Sequence, residues 1–382
     1  MKKLTVVFFW VFLTFMTVCA SSLDRYVFIF DDDKLVYDSK ELSVLGFYLK
    51  YWRSGYEEYK STANTIFSEN MDLFFPDDTA VLDIFSSINP QEFLSPGKKF
   101  RSAKENYPQS IIINAFFIEF LYSDWERSGE VQAGKEIIDS CDNLEQLVGI
   151  NPLSSYYKSK VLWKSKVIGD SAQALKIIKD IYAEYSDNIK ILYEYIVMSY
   201  QNDDYKKVTD LYENYIKLGE SADEINLIAA KSYLNLGNKD KARELALNIT
   251  KSSGRKNILA STYELLGDIA QTNVQKINYY KLSLEYDEKN GLIWSKLGVS
   301  YLQEDRKENA QLARVILNKA LSLYPNQPEI KAELDNLQRD IKIKGVMVYI
   351  LPLLGIVIGG ITVMIVLEKR KKNREYEEML KK

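Results

Sequence analysis

The first apolar segment of the chain, residues 4–18, follows a basic start at Lys2 and Lys3 and precedes a small residue, Ala20. A basic start, an apolar stretch and a small residue at the cleavage point are typical of a secretory signal peptide. We therefore predict that the first 20 residues are a signal peptide, cleaved after Ala20. Two alternatives stay open. The leader is retained as a second membrane span, or the chain is a lipoprotein acylated at Cys19, which the preceding valine disfavours.

The second apolar segment, residues 346–367, is 22 residues long and carries no charged side chain. As a helix rising 1.5 Å per residue it would be about 33 Å long, enough to cross the hydrocarbon of a bilayer. Two lysines precede it within four residues, but five basic residues follow within residues 369–374. Because the more basic flank of a span stays in the cytoplasm, we predict a transmembrane helix over 345–367 and a basic cytoplasmic tail over 368–382.

Gly355 and Gly359 lie four residues apart within this span. Glycines at that spacing let two membrane helices approach closely, so they are the candidate packing residues of the span, and a homodimer is one expected state. Glycine is also common in membrane helices generally, which leaves a span without this interface as the alternative. Pro352 predicts a kink nearby.

Between the two apolar segments, apolar and polar positions recur with a long period. Successive units begin at positions 157, 193, 226, 263 and 294, with spacings of 31 to 37 residues. A period of this length is typical of stacked helix pairs, because one pair buries its apolar face only against its neighbours. The chain between the leader and the span is therefore predicted to be mainly α-helical.

The clearest unit has large residues on its first helix and small residues on its second. Its signature positions are Trp294, Leu297, Gly298, Tyr301, Ala313, Leu317, Ala320 and Pro325. This spacing resembles the tetratricopeptide repeat (TPR) family, with three extra residues between the helices around positions 305–311, which we expect to lengthen a turn or helix. The resemblance implies a mainly α fold, a TPR-like α-solenoid of antiparallel helix pairs over residues 156–327. The signature residues are then packing residues.

The regions flanking the repeats have weaker patterns. Residues 105–155 are predicted to form a helix pair that leads into the repeats, and residues 328–344 a capping helix. Residues 21–104 are predicted to be mostly helical, with a fold that the pattern does not define. Within them, residues 26–30 are interpreted as a strand or an extended lead-in. The acidic run at 31–33 lacks the spaced ligands of a calcium loop and is interpreted as a solvated helix cap.

Composition excludes several kinds of chemistry. The sequence has no histidine and two cysteines, of which only Cys141 lies beyond the leader. Imidazole-based triads, histidine metal sites and an internal disulfide are therefore excluded. No glycine-rich phosphate loop or nucleophile elbow stands out. We predict a non-enzymatic protein with no cofactor and no metal, in which Cys141 is structural. An enzyme would need a site of carboxylates, tyrosine or lysine within residues 21–150.

The charge distribution indicates which kinds of partner the protein binds. The formal net charge is −3, but residues 21–367 hold 41 basic and 49 acidic side chains, a net charge of about −8. Nucleic-acid recognition requires a basic face, so we predict no nucleic-acid partner. The expected partners are other proteins, bound as peptides or helix segments, and membrane lipid around the C-terminal helix.

The resemblance also implies where partners bind, because the inner surface of a TPR array comes mainly from the first helix of each pair. The residues of those helices outside the signature positions are the predicted groove: Glu194, Met198, Gln201, Asn202, Lys231, Asn235, Glu264, Asp268, Ser295 and Gln303. The set does not reproduce the lysine and asparagine carboxylate clamp of some chaperone-binding TPR domains. The alternative interpretation is that these residues are solvated helix positions without a binding role.

Leader, repeats and span together favour a membrane-anchored scaffold on the extracytoplasmic face of a bacterial cytoplasmic membrane. The alternative is a structural subunit of a membrane complex assembled through its transmembrane helix. A eukaryotic secretory membrane is also open, because Asn248 begins a formal glycosylation sequon.

Overall fold

The computed structural model describes residues 23–30, 32–36, 38–88 and 95–380. The predicted signal peptide and Asp31 lie outside these residues, so the leader stays a prediction. The described residues contain helices and loops and no strand.

Twenty α-helices make up the described chain. The first eight precede the predicted repeats: α1 Tyr26–Ile29, α2 Asp32–Leu35, α3 Lys40–Ser54, α4 Glu57–Glu69, α5 Pro76–Ser86, α6 Ser95–Asn106, α7 Ile111–Ser128 and α8 Val131–Val148. The next ten form the repeat region: α9 Pro152–Lys164, α10 Ser171–Glu184, α11 Ile189–Gln201, α12 Tyr205–Lys217, α13 Asp223–Asn235, α14 Lys239–Ser252, α15 Lys256–Ile269, α16 Asn273–Tyr286, α17 Gly291–Glu304 and α18 Arg306–Leu323. The last two are α19 Pro328–Gly345 and α20 Leu351–Leu380.

The helices divide into two compact units, residues 1–228 and 229–382, with the boundary inside α13. In the first unit the pairs α7/α8, α9/α10 and α11/α12 pack internally, and each pair packs on the next. In the second unit α15/α16 and α17/α18 do the same, and α19 covers α18. Helices joined by short loops and packed together are antiparallel neighbours. Each unit is therefore built of successive helix pairs.

Helix starts in the repeat region follow a common local rule. A short polar side chain accepts a hydrogen bond from the backbone N–H three residues later at the start of most of these helices, which satisfies a donor that has no partner within the helix. These N-cap residues are Asn151, Asp170, Asn188, Asp204, Asn238, Thr272, Asn290 and Asp305. The turns between helices are thus specified by sequence as well as by packing.

Glycine at two signature positions allows close helix contact. A Cβ added to Gly267 would lie 2.4 Å from a ring carbon of Tyr280, and one added to Gly298 would lie 2.5 Å from Leu317 Cδ2. Both distances are far below van der Waals contact, so a side chain at either position would push the paired helices apart. The interpretation of Gly298 as a packing residue is confirmed, and Gly267 packs in the same way.

The three extra residues of the Trp294 unit extend a helix. Helix α18 begins at Arg306, one residue after the cap Asp305, and runs for 18 residues. The helices α14, α15, α16 and α17 have 14 residues each. The insertion is therefore absorbed as an additional turn of α18.

The N-terminal region contains the one fold prediction that was wrong. Residues 26–29 are helical, and Phe30 closes the helix with φ 42°, its N–H donating to the carbonyl of Tyr26. Leu23, Tyr26, Val27 and Phe30 are all 0% exposed. A short helix made only of apolar residues has no polar face, so its apolar run has the appearance of a strand.

The core of the first unit contains a cluster of packed aromatic rings. Phe116 on α7 stacks on Tyr26 with ring centroids 5.0 Å apart and meets Phe85 edge-on at 4.9 Å. Phe120, one turn further, stacks on Phe100 at 4.9 Å and meets Trp52 at 5.0 Å. Helix α7 is apolar on nearly all sides because it lies at the centre of this cluster, surrounded by α1, α3, α5, α6, α8 and α9.

At the other end, α19 continues into α20 through a π-helical turn, Val346–Ile350, without an intervening loop. Pro352 follows this turn; it has no N–H and its ring clashes with the preceding turn, which accounts for the local widening of the helix. Leu334 and Leu337 of α19 pack against α18, and Arg306 binds Glu333 at 2.6 Å. The capping helix is therefore held by the last pair.

One helical stretch among the described residues, Pro328–Tyr376, is long and apolar enough to cross a membrane. Every side chain from position 346 to position 367 is exposed. A continuous apolar surface of this size is unfavourable in water and requires a covering partner or lipid.

Candidate partner-binding site

The first helices of successive pairs are joined side by side through charged and polar side chains. In the first unit Lys164 of α9 binds Glu126 of α7 at 2.6 Å, and Lys160 lies 3.5 Å from Glu194 of α11. Tyr193 of α11 donates to Glu224 of α13 at 2.8 Å. Side chains on the first helix of one pair therefore form bonds with the first helix of the neighbouring pair, in addition to facing solvent.

The second unit repeats the arrangement. The ammonium of Lys296 on α17 lies 2.8 Å from Glu264 and 2.8 Å from Asp268, both on α15. Burial lowers the pKa of Lys296, but hydrogen bonds to the two carboxylates raise it by more, so the net shift is upward. Tyr280 donates to the same Asp268 at 2.7 Å. Glu264 and Asp268, predicted as groove residues, thus hold neighbouring helices together.

Three of the predicted groove residues do not line an accessible surface. Met198 is 0% exposed, and Glu194 and Ser295 are each 5% exposed. Ser295 donates to Gln327 at 2.5 Å, so its hydroxyl is used within the second unit. The resemblance placed all three on the accessible inner surface of the array, but they are buried: Glu194 lies against Lys160 of the preceding first helix and Ser295 against Gln327. Their expected role as free contacts is corrected to packing and internal bonding.

The remaining predicted residues stay at the surface. Gln201 and Asn202 are exposed at the end of α11, and Gln201 accepts a hydrogen bond from the indole of Trp163. Asn235 donates to the carbonyl of Lys231 at 2.9 Å. Gln303 is exposed near the end of α17. A binding role for these residues stays a prediction.

Lys160 and Lys296 were missed in the sequence reading, although a signal for them exists. Lys296 stands 32 residues after Glu264, one repeat further along the chain. Opposite charges one repeat apart on successive first helices are placed to pair, as residues of one register stack in a repeat array. This periodic charge pattern indicates inter-repeat bridges.

A concavity of this face lies in the first unit, between the end of α3 and the helices α7 and α9. It is a pocket of about 730 Å³. Its lining is aromatic and charged: Trp52, Arg53, Ser54, Gly55, Glu119, Tyr122, Ser123, Glu126, Tyr156, Tyr157 and Lys160. We call it the tyrosine pocket. None of these residues was among the groove positions predicted from the sequence.

Helix α3 ends beside the pocket because Gly55 adopts φ 73°, a left-handed conformation that closes the helix. The exposed Arg53 lies in the last turn of that helix. Helices α7 and α9 contribute the aromatic walls: the Tyr122 and Tyr157 rings are 5.1 Å apart, as are those of Tyr156 and Tyr157.

The lysine of the pocket is held by its aromatic neighbours. The Lys160 ammonium lies 5.0 Å from the ring centre of Tyr122 and 4.8 Å from that of Tyr156, and it donates to the Tyr156 hydroxyl at 3.1 Å. Contacts of this kind stabilise a cation over the negative face of an aromatic ring. Lys160 is therefore fixed in position.

The tyrosines of the pocket remain protonated. Burial, followed by the charge of Glu126, raises the pKa of Tyr122, and burial followed by Glu119 raises the pKa of Tyr157. Both hydroxyls are hydrogen-bond donors at any physiological pH.

Cys141, outside the pocket, is completely buried, and that burial raises its thiol pKa, so it stays an unreactive thiol.

Successive antiparallel helix pairs, glycine at the close crossings and first helices joined at one-repeat spacing together define the architecture. The fold class is TPR-like. No protein family matches the chain by sequence, and no curated protein matches it.

Solved TPR structures are similar to this chain at low scores. A tetratricopeptide repeat protein from Parabacteroides merdae is 13% identical, covers 69% of this chain and 98% of its own, and has a TM-score of 0.45. The Cut9–Hcn1 hetero-tetramer of the APC/C is 15% identical over 81% of this chain and 58% of its own, with a TM-score of 0.44. YrrB, described as a TPR protein with an unusual peptide-binding site, is 14% identical over 62% and 98%, with a TM-score of 0.35. TM-scores of this size do not establish a shared fold, so the TPR-like assignment rests on the helix packing of this chain.

Proposed function

We propose that the chain is a non-enzymatic, membrane-anchored TPR-like scaffold that binds other proteins on the extracytoplasmic face of a bacterial cytoplasmic membrane. The observation that carries this proposal is that one chain combines two features. The first is a helix-pair array with an open, polar and aromatic pocket on its first helices. The second is a 22-residue uncharged helix segment, every side chain of which is exposed.

Lipid is the occupant that best accounts for the second feature. The segment is as long as the hydrocarbon thickness of a bilayer, and basic residues flank it on its C-terminal side. In this proposal the anchor holds the last helix pair of the second unit close to the membrane. Leu337 is the last buried residue of α19 and lies nine residues before the apolar segment, about 14 Å along a helix.

Anchoring and topology are tested together by cysteine labelling in intact cells and spheroplasts. Lys179→Cys places a thiol on an exposed position of α10, and Asn373→Cys places one in the tail. A membrane-impermeant maleimide is expected to label the first variant in spheroplasts and the second only after lysis. The buried Cys141 provides the unlabelled background. Labelling of both variants in intact spheroplasts, or of the tail variant alone, contradicts the proposed topology.

Partner binding is tested by photo-crosslinking in the native host. A crosslinker at the exposed Gln201 or Gln303 samples the first-helix face, and one at Lys176, exposed on the second helix α10, is the matched control. Proteins captured at the first two positions and absent from the control support the scaffold. The same set of captured proteins at all three positions counts against a binding face on the first helices.

A structural subunit of a membrane complex is the alternative function, and one observation favours it. Helix α20 packs on no helix beyond the adjoining π-helical turn in the described chain, and a Cβ added to Gly355 or Gly359 would meet nothing within 4 Å. The double variant Gly355→Leu/Gly359→Leu is expected to abolish assembly if this helix makes the main contact. In the scaffold proposal the same variant retains the crosslinks to the first-helix face.

A further inference from the structure

The tyrosine pocket has a surplus of hydrogen-bond donors. Among the described residues the hydroxyl of Tyr157 and the indole N–H of Trp52 have no hydrogen-bond partner, although both residues line the pocket. Both side chains are partly buried. An unsatisfied donor in a partly dry site costs free energy that a ligand acceptor would recover.

The two carboxylates of the pocket, in contrast, each accept hydrogen bonds through one oxygen. Glu119 accepts a hydrogen bond from the Tyr26 hydroxyl at 2.5 Å. Glu126 accepts from Tyr122 at 3.1 Å and from Lys164 at 2.6 Å. A ligand entering the pocket thus meets donors without partners and carboxylates that hold partners of their own.

Two cations complete the donor set. Arg53 is exposed at the end of α3 and lines the pocket together with Tyr156 and Tyr157. Lys160 is fixed over the rings of Tyr122 and Tyr156. A guanidinium, an ammonium, a hydroxyl and an indole N–H around one cavity form an arrangement suited to an oxyanion.

The two carboxylates that line the pocket limit how much negative charge a bound oxyanion can carry. Glu119 and Glu126 both line the pocket, so each additional negative charge on a ligand is repelled by two carboxylates. A singly charged, planar group is favoured over a doubly charged phosphate. The aromatic walls also provide apolar contact for whatever carries the group.

We infer that the tyrosine pocket binds a carboxylate carried by an apolar or aromatic body, with Arg53, Tyr157 and Trp52 as its donors. The site deepens the scaffold proposal, since a partner peptide is one source of such a group and a free carboxylic acid is the other. It lies outside the groove positions predicted from the repeats, because α3, which precedes the repeats, forms one wall.

The test uses the purified full-length chain in detergent micelles and a matched pair of probes. N-acetyl-phenylalanine carries the carboxylate, and N-acetyl-phenylalaninamide has the same body without the charge. Calorimetry or ¹⁹F NMR of fluorinated probes is expected to show the acid binding about tenfold or more tighter than the amide, the effect of losing one or more charge-assisted hydrogen bonds. Inorganic phosphate is expected to compete poorly.

Two substitutions and one control assign the binding to this pocket. Tyr157→Phe removes one donor and is expected to weaken acid binding by about five- to tenfold, and Arg53→Gln by more, while the amide is unaffected. Tyr324→Phe removes a hydroxyl on an exposed side chain outside the pocket and is expected to change nothing. Thermal unfolding of each variant verifies that the fold is kept.

Equal binding of acid and amide, no binding of the acid at 50 mM, or equal loss in Tyr157→Phe and Tyr324→Phe would overturn the inference. A longer peptide acid that binds more tightly than the small acid identifies a peptide as the source, and equal affinities identify a free acid. The scaffold proposal is judged separately by crosslinking in cells. The probe experiment can therefore fail while the scaffold proposal stands, and the reverse also holds.

Discussion

The N-terminal region and the last helix pairs bury comparable side chains in different ways. In residues 23–161 a single cluster joins aromatic and aliphatic side chains from α1 to α9. The hydroxyl of Tyr26 reaches Glu119, 93 residues away in sequence. In the last repeats the clusters are smaller and local; one runs from Ile277 to Ile316 and the next from Leu302 to Leu337.

This difference predicts which of the two regions unfolds cooperatively. Small successive clusters make a repeat region whose stability is close to a sum of pair and interface contributions. A single long-range cluster makes a region that loses its structure as one body. The following substitutions test this contrast, beginning with the largest expected effect.

Tyr26→Ala is expected to destabilise the first unit by about 3 to 5 kcal/mol, because a fully buried aromatic ring and its hydrogen bond to Glu119 are both removed. Urea denaturation of the full-length chain in detergent, followed by hydrogen exchange, measures the effect. Protection is expected to fall throughout residues 23–161 and to be kept in α15 to α18. Tyr56→Ala, at a residue 68% exposed, is the control. Loss of protection confined to α1 would show that the core is not a single cooperative body.

Gly267→Ala is expected to destabilise the second unit by about 1 to 3 kcal/mol. The added methyl would lie 2.4 Å from the Tyr280 ring, which is buried and held by Asp268 and so does not move aside easily. Gly254→Ala is a matched control, since nothing lies within 4 Å of its Cβ and its substitution should be neutral or slightly stabilising. Exchange protection is expected to fall at α15 and α16 first. Equal effects of the two substitutions would mean that the close crossing contributes little.

Lys296→Met is expected to cost about 1 kcal/mol or less at neutral pH, because the Lys296 side chain is 36% exposed and solvent screens its two bridges. The pKa of Lys296 is raised on folding, so its contribution is complete below the unfolded pKa of about 10.4 and is lost as pH rises through the higher folded value. The stability difference between the two chains should therefore be constant from pH 7 to about pH 10 and shrink above it. A difference that grows with pH would have the wrong sign for this bridge.

The repeat region could be predicted from the sequence to a large extent. The positions of Leu297, Gly298, Ala313 and Ala320 depend on one helix pair and its neighbour, and all four are buried as the pattern requires. Local caps such as Asn290 fix the helix starts. Both kinds of signal involve residues that are close together along the chain, so they are recognisable in a single sequence.

The site was predicted less well, for a reason visible in Met198 and Ser295. Helical periodicity identifies the side of a helix that is not a signature face, but whether that side is buried depends on the other helices that pack against it. The tyrosine pocket was missed because α3 forms one wall of it, and α3 has no repeat signature that relates it to α7 and α9.

The sequence by itself determined the helical class, the repeat period, the packing glycines and the apolar C-terminal helix, because each depends on contacts within a turn, a pair or a single span. Only the tertiary structure decided that residues 26–29 are a buried helix, that Glu264 and Asp268 bind Lys296, and that Trp52, Arg53 and Tyr157 share one pocket. Those arrangements depend on residues far apart in the chain, whose side chains come together only when the helices pack.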